Sequence, residues 1–232
     1  MQPATRKTAF ARGLAAGLPF VLAAGPFGMV FGIAAVEAGL DLAQLMAMSL
    51  VVFAGAAQFT ALAQMDQAAP VALVVLAGLA VNLRMAMYSA SLAPHFAGSS
   101  LLTRAGAAWL LVDNTYATGV IEFERAPKAP LRDKLAFYAA SAIPVMIVWP
   151  GATLVGAALG ARIPETVPTD FAMPVVFLAL VAPMVKTLPH LVAAMVSVIG
   201  ALVFSFLPYS SGLLVAAGLA MVAGVQVEER MR

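Results

Sequence analysis

The sequence predicts an all-α polytopic membrane protein with about eight transmembrane helices, seven being the alternative. Of its 232 residues, 62% are hydrophobic and only 10% are charged, and the mean hydropathy is +0.96. A soluble domain of this size carries roughly 25% charged residues. Long apolar runs also follow one another along the chain, and crossing a bilayer core of roughly 30 Å takes about 20 apolar residues. Composition and run length together indicate a bundle of membrane helices.

Eight such runs are predicted spans. They lie at 14–35, 43–65, 70–92, 104–121, 135–158, 171–186, 188–207 and 211–227. The first run follows Arg6, Lys7 and Arg12, as in a signal peptide, but it is too long for one and is expected to stay as span one. The sixth and eighth runs are short, so we expect one of them to be re-entrant or strongly tilted.

The basic residues predict the orientation. With a cytoplasmic N-terminus, most Lys and Arg fall in cytoplasmic segments, and only Arg104 and Arg162 fall outside. This pattern satisfies the positive-inside rule. We therefore expect a multi-pass protein of the cytoplasmic (inner) membrane with both termini cytoplasmic.

The longest charged linker divides the predicted transmembrane domain, which occupies residues 1–232. The first half, 1–123, contains spans one to four, and the second half, 135–232, contains spans five to eight. The segment 124–134 between them is predicted to be a cytoplasmic linker.

Proline and glycine interrupt the opening span of each half. Span one contains Gly25-Pro26, and span five contains Pro144 and Pro150. Proline removes a helix hydrogen bond and kinks or breaks the helix. Paired interruptions point to a transporter site, because broken helix ends present free N–H and C=O groups to a substrate. The alternative is that Pro and Gly are simply common in membrane helices.

Two opposite charges occupy the centres of successive spans, Arg84 in span three and Asp113 in span four. A charge at the centre of a lipid-exposed helix costs about 2.5–3.5 kcal/mol. We therefore expect each charge to face a protein interior, a partner or a water path. A short loop joins the two spans, so the charges can meet. The pair is then either a buried salt bridge that fixes helix register or a clamp for a zwitterion.

Further polar side chains and one interruption complete the candidate substrate-binding set. Its members are Arg84, Asp113, Asn82, Gln58, Tyr88, Asn114, Gly25 and Pro26. Arg84 and Tyr88 share one helical stripe, whereas Asn82 lies on another. The surroundings are aliphatic, so we expect leucine, isoleucine, valine and methionine to bind with modest preference among them. Glutamate and lysine should be rejected, since their extra charge would be desolvated without a partner.

Small residues at helical spacing predict close helix packing. Gly25, Gly28 and Gly32 recur at three- and four-residue intervals. Such faces let helix backbones approach closely. Close approach to a small ligand is the alternative role.

Catalytic and metal-binding patterns are missing from the sequence. It has no cysteine, no HExxH and no GxSxG, and its two histidines lie far apart. Asp113 has no second buried carboxylate with which to form an aspartyl dyad. We therefore expect no enzyme, no cofactor and no nucleic-acid partner. The alternatives to a transporter are a channel-like or structural subunit in which Arg84 and Asp113 form a packing clasp.

Four sequence runs, VVFAGAAQFTAL (51–62), VNLRMAMYSASLAP (81–94), LLVDNTYA (110–117) and TDFAMPVVFLAL (169–180), carry a family resemblance. They resemble the AzlC-type permeases, the large subunits of bacterial branched-chain amino acid exporters. The opening GLPFVLAAGPFGMVFG also fits, so the resemblance covers nearly the whole chain in order. It implies export of leucine, isoleucine and valine, with methionine as a further candidate. It also implies a small polytopic partner subunit of AzlD type.

Two positions depart from the family pattern. This chain has Met85 where the family often has His, and Asp113-Asn114 where it often has Asp-Glu. The first change removes a titratable group and the second removes a carboxylate. Asp113 is then the only carboxylate left in span four to carry proton coupling.

Overall fold

The structure, a computed structural model, describes residues 6–162, 185, 187–207 and 211–231, and no strand occurs in this part of the chain. The predicted all-α fold is therefore confirmed for these residues. Predicted span six, 171–186, lies outside them except for Val185. The α-helices are α1 Arg6–Gly17, α2 Val21–Glu37, α3 Leu42–Val51, α4 Gly55–Asp66, α5 Val71–Val81, α6 Leu83–Leu92, α7 Leu101–Trp109, α8 Asp113–Arg125, α9 Leu131–Gly160, α10 Leu188–Val203 and α11 Gly212–Met231.

The chain divides into two compact units. The first draws on residues 1–59 and 81–163, and the second on 60–80 and 164–232. In the second unit α10 and α11 pack side by side in opposite directions. Gly200 lies against Ala216 and Gly224 against Ala193, so small residues again allow the close approach.

The frame of the first unit consists of two long helical stretches that run parallel. One is Thr8–Glu37, in which a 3-10 turn at Leu18–Phe20 joins α1 to α2. The other is α9, 30 residues long. A Cβ added at Gly28 would lie 3.1 Å from the Trp149 carbonyl oxygen, and one at Gly32 would lie 2.7 Å from the Ala157 nitrogen. The predicted packing role of the small-residue face is confirmed at these two glycines.

The predicted interruptions of spans one and five are wrong. Helix α2 continues through Pro26, and α9 continues through both Pro144 and Pro150. Neighbouring helices can hold a proline-containing helix together in a membrane. Here α2 and α9 pack closely against each other, as at Gly28 and Gly32, and so support each other.

Predicted span two is instead a helical hairpin. Helix α3 ends at Val51 and α4 begins at Gly55, and between them Phe53 has a positive φ of 21°. The Gln58 side-chain amide donates to the Met48 carbonyl oxygen at 2.7 Å, so α4 turns back beside α3. Ten residues of α3 span only about 15 Å, half of the hydrocarbon thickness. We name residues 42–66 the first hairpin, and the prediction of one crossing over 43–65 is wrong.

Predicted span four is a second hairpin. Helix α7 runs antiparallel to α6. Leu92 and Ala107 line one small cavity together with Phe96 and Arg104, so residues of the two helices face each other in reverse order. Helix α8 then runs in the same direction as α6. The rings of Tyr88 and Tyr116 stack at 3.9 Å, and those of His95 and Phe123 lie 5.1 Å apart.

We name residues 101–125 the second hairpin. Its helices have 9 and 13 residues, which again reach about half of the membrane or a little more. The prediction of one crossing over 104–121 is therefore wrong. Arg104 lies beside Tyr138, close to the start of α9, so it belongs to the end of the first unit where α1 and α9 begin and not to the outer end as predicted.

Three helical stretches in the described chain are long and apolar enough to cross a membrane. They are Thr8–Glu37, Val71–Phe96 and Leu131–Gly160. The count of eight spans does not hold where the two hairpins replace spans two and four. The division into two halves at 124–134 stays a prediction.

Candidate functional site

The two hairpins enter the first unit from opposite ends. The first hairpin follows the end of α2, where Gly160 of α9 packs against Ile33. The second follows Phe96, whose ring lies 5.3 Å from that of Tyr138, near the start of α9. Their tips meet between these ends, with the rings of Phe53 and Trp109 6.4 Å apart. Irregular backbone at membrane depth is tolerated only inside protein or along a water-filled cavity, so this junction is the candidate functional site.

The tip of the second hairpin is held by Thr115, a residue that the sequence analysis did not select. Its fully buried hydroxyl accepts a hydrogen bond from the Val112 N–H at 2.9 Å. The same oxygen lies 2.8 Å from the Leu110 carbonyl oxygen, to which it can donate. The position of Thr115, two residues after Asp113 at a helix start, was the available signal, since Ser and Thr commonly satisfy free N–H groups there.

Replacing Thr115 by Val should destabilise the folded protein by about 1–3 kcal/mol, because the isosteric side chain leaves buried backbone groups without a partner. Thermal unfolding in detergent measures the effect. Thr115→Ser should unfold close to wild type. Thr118→Val is a matched control, since its hydroxyl lies 2.8 Å from the Asn114 carbonyl within the same helix. A Thr115→Val protein as stable as Thr118→Val would contradict the role of Thr115.

Arg84 and Asp113 meet beside this tip. The Arg84 guanidinium lies 3.1 Å from Oδ2 of Asp113, and the Tyr88 hydroxyl donates to its Oδ1 at 3.2 Å. Asp113 is the first residue of α8, where a helix dipole favours an anion. Arg84 is in the first turn of α6, where the dipole disfavours a cation, so the Asp113 carboxylate supplies the compensating charge.

The pair is not fully buried. The Arg84 side chain is 32% exposed and that of Asp113 is 55% exposed, although Arg84 lies near the middle of the apolar stretch Val71–Phe96. The pair is therefore only partly buried in the described chain, and the choice between a salt bridge that fixes helix register and a substrate clamp stays a prediction. Tyr116 lies on the same face, and its hydroxyl donates to the Ser91 hydroxyl at 3.4 Å.

Asn82 interrupts the same stretch between α5 and α6. Its Oδ1 is buried and accepts no hydrogen bond from the described residues, and Nε of Arg84 is likewise buried and donates none. A buried acceptor and a buried donor, two residues apart in the chain, thus both lack partners among the described residues.

Gln58 lies at the first hairpin, apart from this cluster. It is fully buried, and its Oε1 has no partner in the described part of the chain. The neighbouring rings form an aromatic group, with Phe59 stacked on Phe27 at 4.7 Å and Phe27 lying 5.6 Å from Trp149. The indole N–H of Trp149 is also buried without a described partner.

The remaining candidates lie elsewhere. The Asn114 side chain donates to the Ser141 carbonyl oxygen at 3.1 Å and links α8 to α9. Gly25 and Pro26 belong to an unbroken helix, and a Cβ added at Gly25 would meet only Val148. The structure thus brings together Arg84, Asp113 and Tyr88, and Asn82 is near them by its place in the chain, two residues before Arg84. It separates Gln58, Asn114, Gly25 and Pro26 from them.

The described chain contains no group of three or more His, Asp or Glu side chains that could hold a metal ion. The chemistry of the junction is therefore that of one ion pair, neutral amides, phenol hydroxyls and helix ends. Such groups bind and orient a polar solute by hydrogen bonds.

Residues 19–163 of the chain match the model of a protein family that is described as AzlC protein. The match includes both hairpins and α9. No curated protein matches the chain, and no solved structure does so either.

Proposed function

The chain belongs to the AzlC protein family, and on that basis we propose that it exports branched-chain and other small apolar amino acids from the cytoplasm. Family membership indicates a membrane protein that transports amino acids. The finer proposal comprises the substrates leucine, isoleucine, valine and methionine, the outward direction and a small membrane partner subunit of AzlD type.

The unpartnered groups beside the ion pair carry this proposal. Nε of Arg84 is a charged donor without an acceptor, and Oδ1 of Asn82 is an acceptor without a donor. An α-amino acid supplies both missing groups, a carboxylate for Arg84 and an ammonium for Asn82 and Asp113. Charge-assisted hydrogen bonds of this kind are roughly twice as strong as neutral ones.

The surroundings favour apolar substrates. Near the pair α6 presents Leu83 and Met87, and the hairpin tips present Phe53 and Trp109. Apolar walls distinguish side chains that differ by one methylene by only about 1–3 kcal/mol. A lysine or glutamate side chain would bring an extra charge for which the described cluster has no counter-charge.

The exposure of Asp113 supports a membrane partner. A carboxylate that is 55% exposed beside the apolar stretch Val71–Phe96 cannot face lipid without a cost. A partner subunit that covers α6 and α8 would supply protein or ordered water in place of lipid. We therefore propose that the AzlD-type subunit covers this face of α6 and α8.

The charges at the two ends of the first unit support the orientation. Arg12, Arg125 and Lys134 lie at the end where α1 and α9 begin. The end of α2 and the loop that follows it contain Glu37 and Asp41 and no basic residue. Basic residues mark the cytoplasmic side, so the N-terminal end is assigned to the cytoplasm of a cell with an inner membrane.

Proteoliposomes preloaded with leucine should release it when they contain the chain together with an AzlD-type subunit. Release should be much slower with either subunit alone. Excess isoleucine, valine or methionine should compete within about tenfold of leucine, while lysine and glutamate should not. The assay measures radiolabelled leucine with and without a proton gradient. Equal competition by lysine or glutamate would contradict this site and favour a wider, wet pore.

A further inference from the structure

A second charged cavity lies at the end of the first unit where α1 and α9 begin. Its volume is about 240 Å³. Cavities that hold drug-sized ligands measure about 300–1,000 Å³, so this one suits a smaller molecule. The lining combines charged side chains with apolar ones, Arg12, Glu122, Phe123, Ala126, Ala129, Pro130, Arg132, Asp133, Lys134 and Phe137.

One wall contains a buried carboxylate with one oxygen that accepts no hydrogen bond from the described residues. Asp133 is 4% exposed, and its Oδ1 accepts no hydrogen bond from the described residues. The nearest cationic atom is Nε of Arg132, at 3.6 Å. Burying a carboxylate is costly unless it is paired and hydrogen-bonded. An ammonium group in the cavity would supply what Asp133 lacks.

The next residue is a buried cation without a described carboxylate partner. Lys134 is 9% exposed, its ammonium donates to the Pro127 carbonyl oxygen at 2.9 Å, and it lies 5.7 Å from the centre of the Phe123 ring. The carboxylate of Glu122 is already engaged, 2.6 Å from Arg12 and 3.9 Å from Arg125. An anionic group in the cavity would give Lys134 a counter-charge.

We propose that this cavity binds a zwitterionic α-amino acid with an apolar side chain, as a loading site at the cytoplasmic end of the protein. The ammonium of the ligand faces Asp133, its carboxylate faces Lys134, and its side chain packs against Phe123 and Phe137. The proposal rests on the proposed function, because an exporter takes its substrate from the cytoplasm. The cavity lies at the far end of α8 from Asp113 and shares no residue with the Arg84 cluster.

Leucine counterflow in everted and right-side-out membrane vesicles tests the proposal with the chain and its partner subunit in place. Asp133→Asn should raise the half-saturating leucine concentration at the cytoplasmic face roughly tenfold to hundredfold, the equivalent of one charged hydrogen bond. The half-saturating concentration at the outer face and the maximal rate should stay unchanged. Ala129→Leu, which fills the cavity without touching a charge, should have the same one-sided effect.

Glu124→Gln is the matched control, since Glu124 is an exposed carboxylate of the same segment and does not line the cavity. It should transport as wild type. Thermal unfolding shows whether each variant is folded, and Ala129→Leu keeps the test decisive if Asp133→Asn unfolds. Unchanged cytoplasmic half-saturation in both cavity variants would overturn the loading site. Absence of counterflow in wild type would instead overturn the proposed function.

The head group of an ethanolamine phospholipid carries the same pair of charges and is the other source of this chemistry. Nanodiscs made only of phosphatidylcholine and phosphatidylglycerol should bind leucine, and Asp133→Asn should weaken that binding. Addition of phosphatidylethanolamine should leave leucine binding unchanged. Displacement of leucine by this lipid would reassign the cavity to a head group and overturn the proposal.

Discussion

Asp113→Asn and Arg84→Gln should each reduce leucine export at least thirtyfold while the protein remains folded. Removing one partner of a buried, hydrogen-bonded charge pair costs about 2–5 kcal/mol, a value that applies to this pair once the proposed partner subunit covers it, and each 1.36 kcal/mol is a factor of ten in rate. The fold should survive because both side chains are partly exposed, at 32% and 55%. Export from preloaded proteoliposomes measures the first quantity and thermal unfolding the second.

The double variant Arg84→Gln/Asp113→Asn separates a substrate clamp from a packing clasp. A clasp needs only that neither charge be left alone, so the double variant should recover both stability and export. A clamp needs both charges for the zwitterion, so the double variant should recover stability and not export. Glu37→Gln, which neutralises an exposed carboxylate at the end of α2, should behave as wild type. Single variants that export normally would contradict both roles.

Gly32→Ala should cause a large loss of stability. An added Cβ would lie 2.7 Å from the Ala157 nitrogen and close to the Thr153 carbonyl oxygen, both of which belong to the rigid backbone of α9. Overpacking typically costs about 1–3 kcal/mol, and a backbone neighbour cannot rotate away. We therefore expect more than about 3 kcal/mol, measured as thermal unfolding or as loss of monodisperse protein in detergent.

Gly151→Ala is the matched control, since it makes the same change in α9 at a position with no atom within 4 Å of the new Cβ. It should be neutral or stabilising, because Ala favours the helix over Gly by about 0.5–1 kcal/mol. Equal unfolding temperatures for the two variants would show that α2 and α9 are not packed as closely as described.

Apolar content could predict the class of fold but not the path of the chain. A hairpin of two short helices contains as many apolar residues as one crossing helix, so runs 43–65 and 104–121 look like ordinary spans. Each hairpin differs from a single span by a turn of three residues, which lies at 52–54 in the first and at 110–112 in the second. Neither turn contains Pro or a run of polar residues. The prolines that do stand out, Pro26 and Pro144, lie in helices supported by close packing.

The sequence could predict only the charged residues of the candidate site. Arg84 and Asp113 are costly at membrane depth, so their meeting followed from the sequence, and the structure places them 3.1 Å apart. Neutral groups carry no such signal. Thr115 and Trp109 depend on where the hairpin turns, and Asn114 depends on which side of α8 faces α9. These contacts are set by tertiary packing, which a single sequence does not reveal.

The meeting of the two hairpin tips also has an electrical consequence. Where water follows each hairpin inward, only a thin septum remains at Phe53 and Trp109, whose rings lie 6.4 Å apart. The transmembrane voltage then falls across this septum and not evenly over the whole bilayer. One elementary charge that passes it gains or loses about 2.3 kcal/mol per 100 mV, whereas a zwitterion of zero net charge is indifferent to the voltage. Voltage dependence of leucine export would therefore report on a co-transported proton or ion.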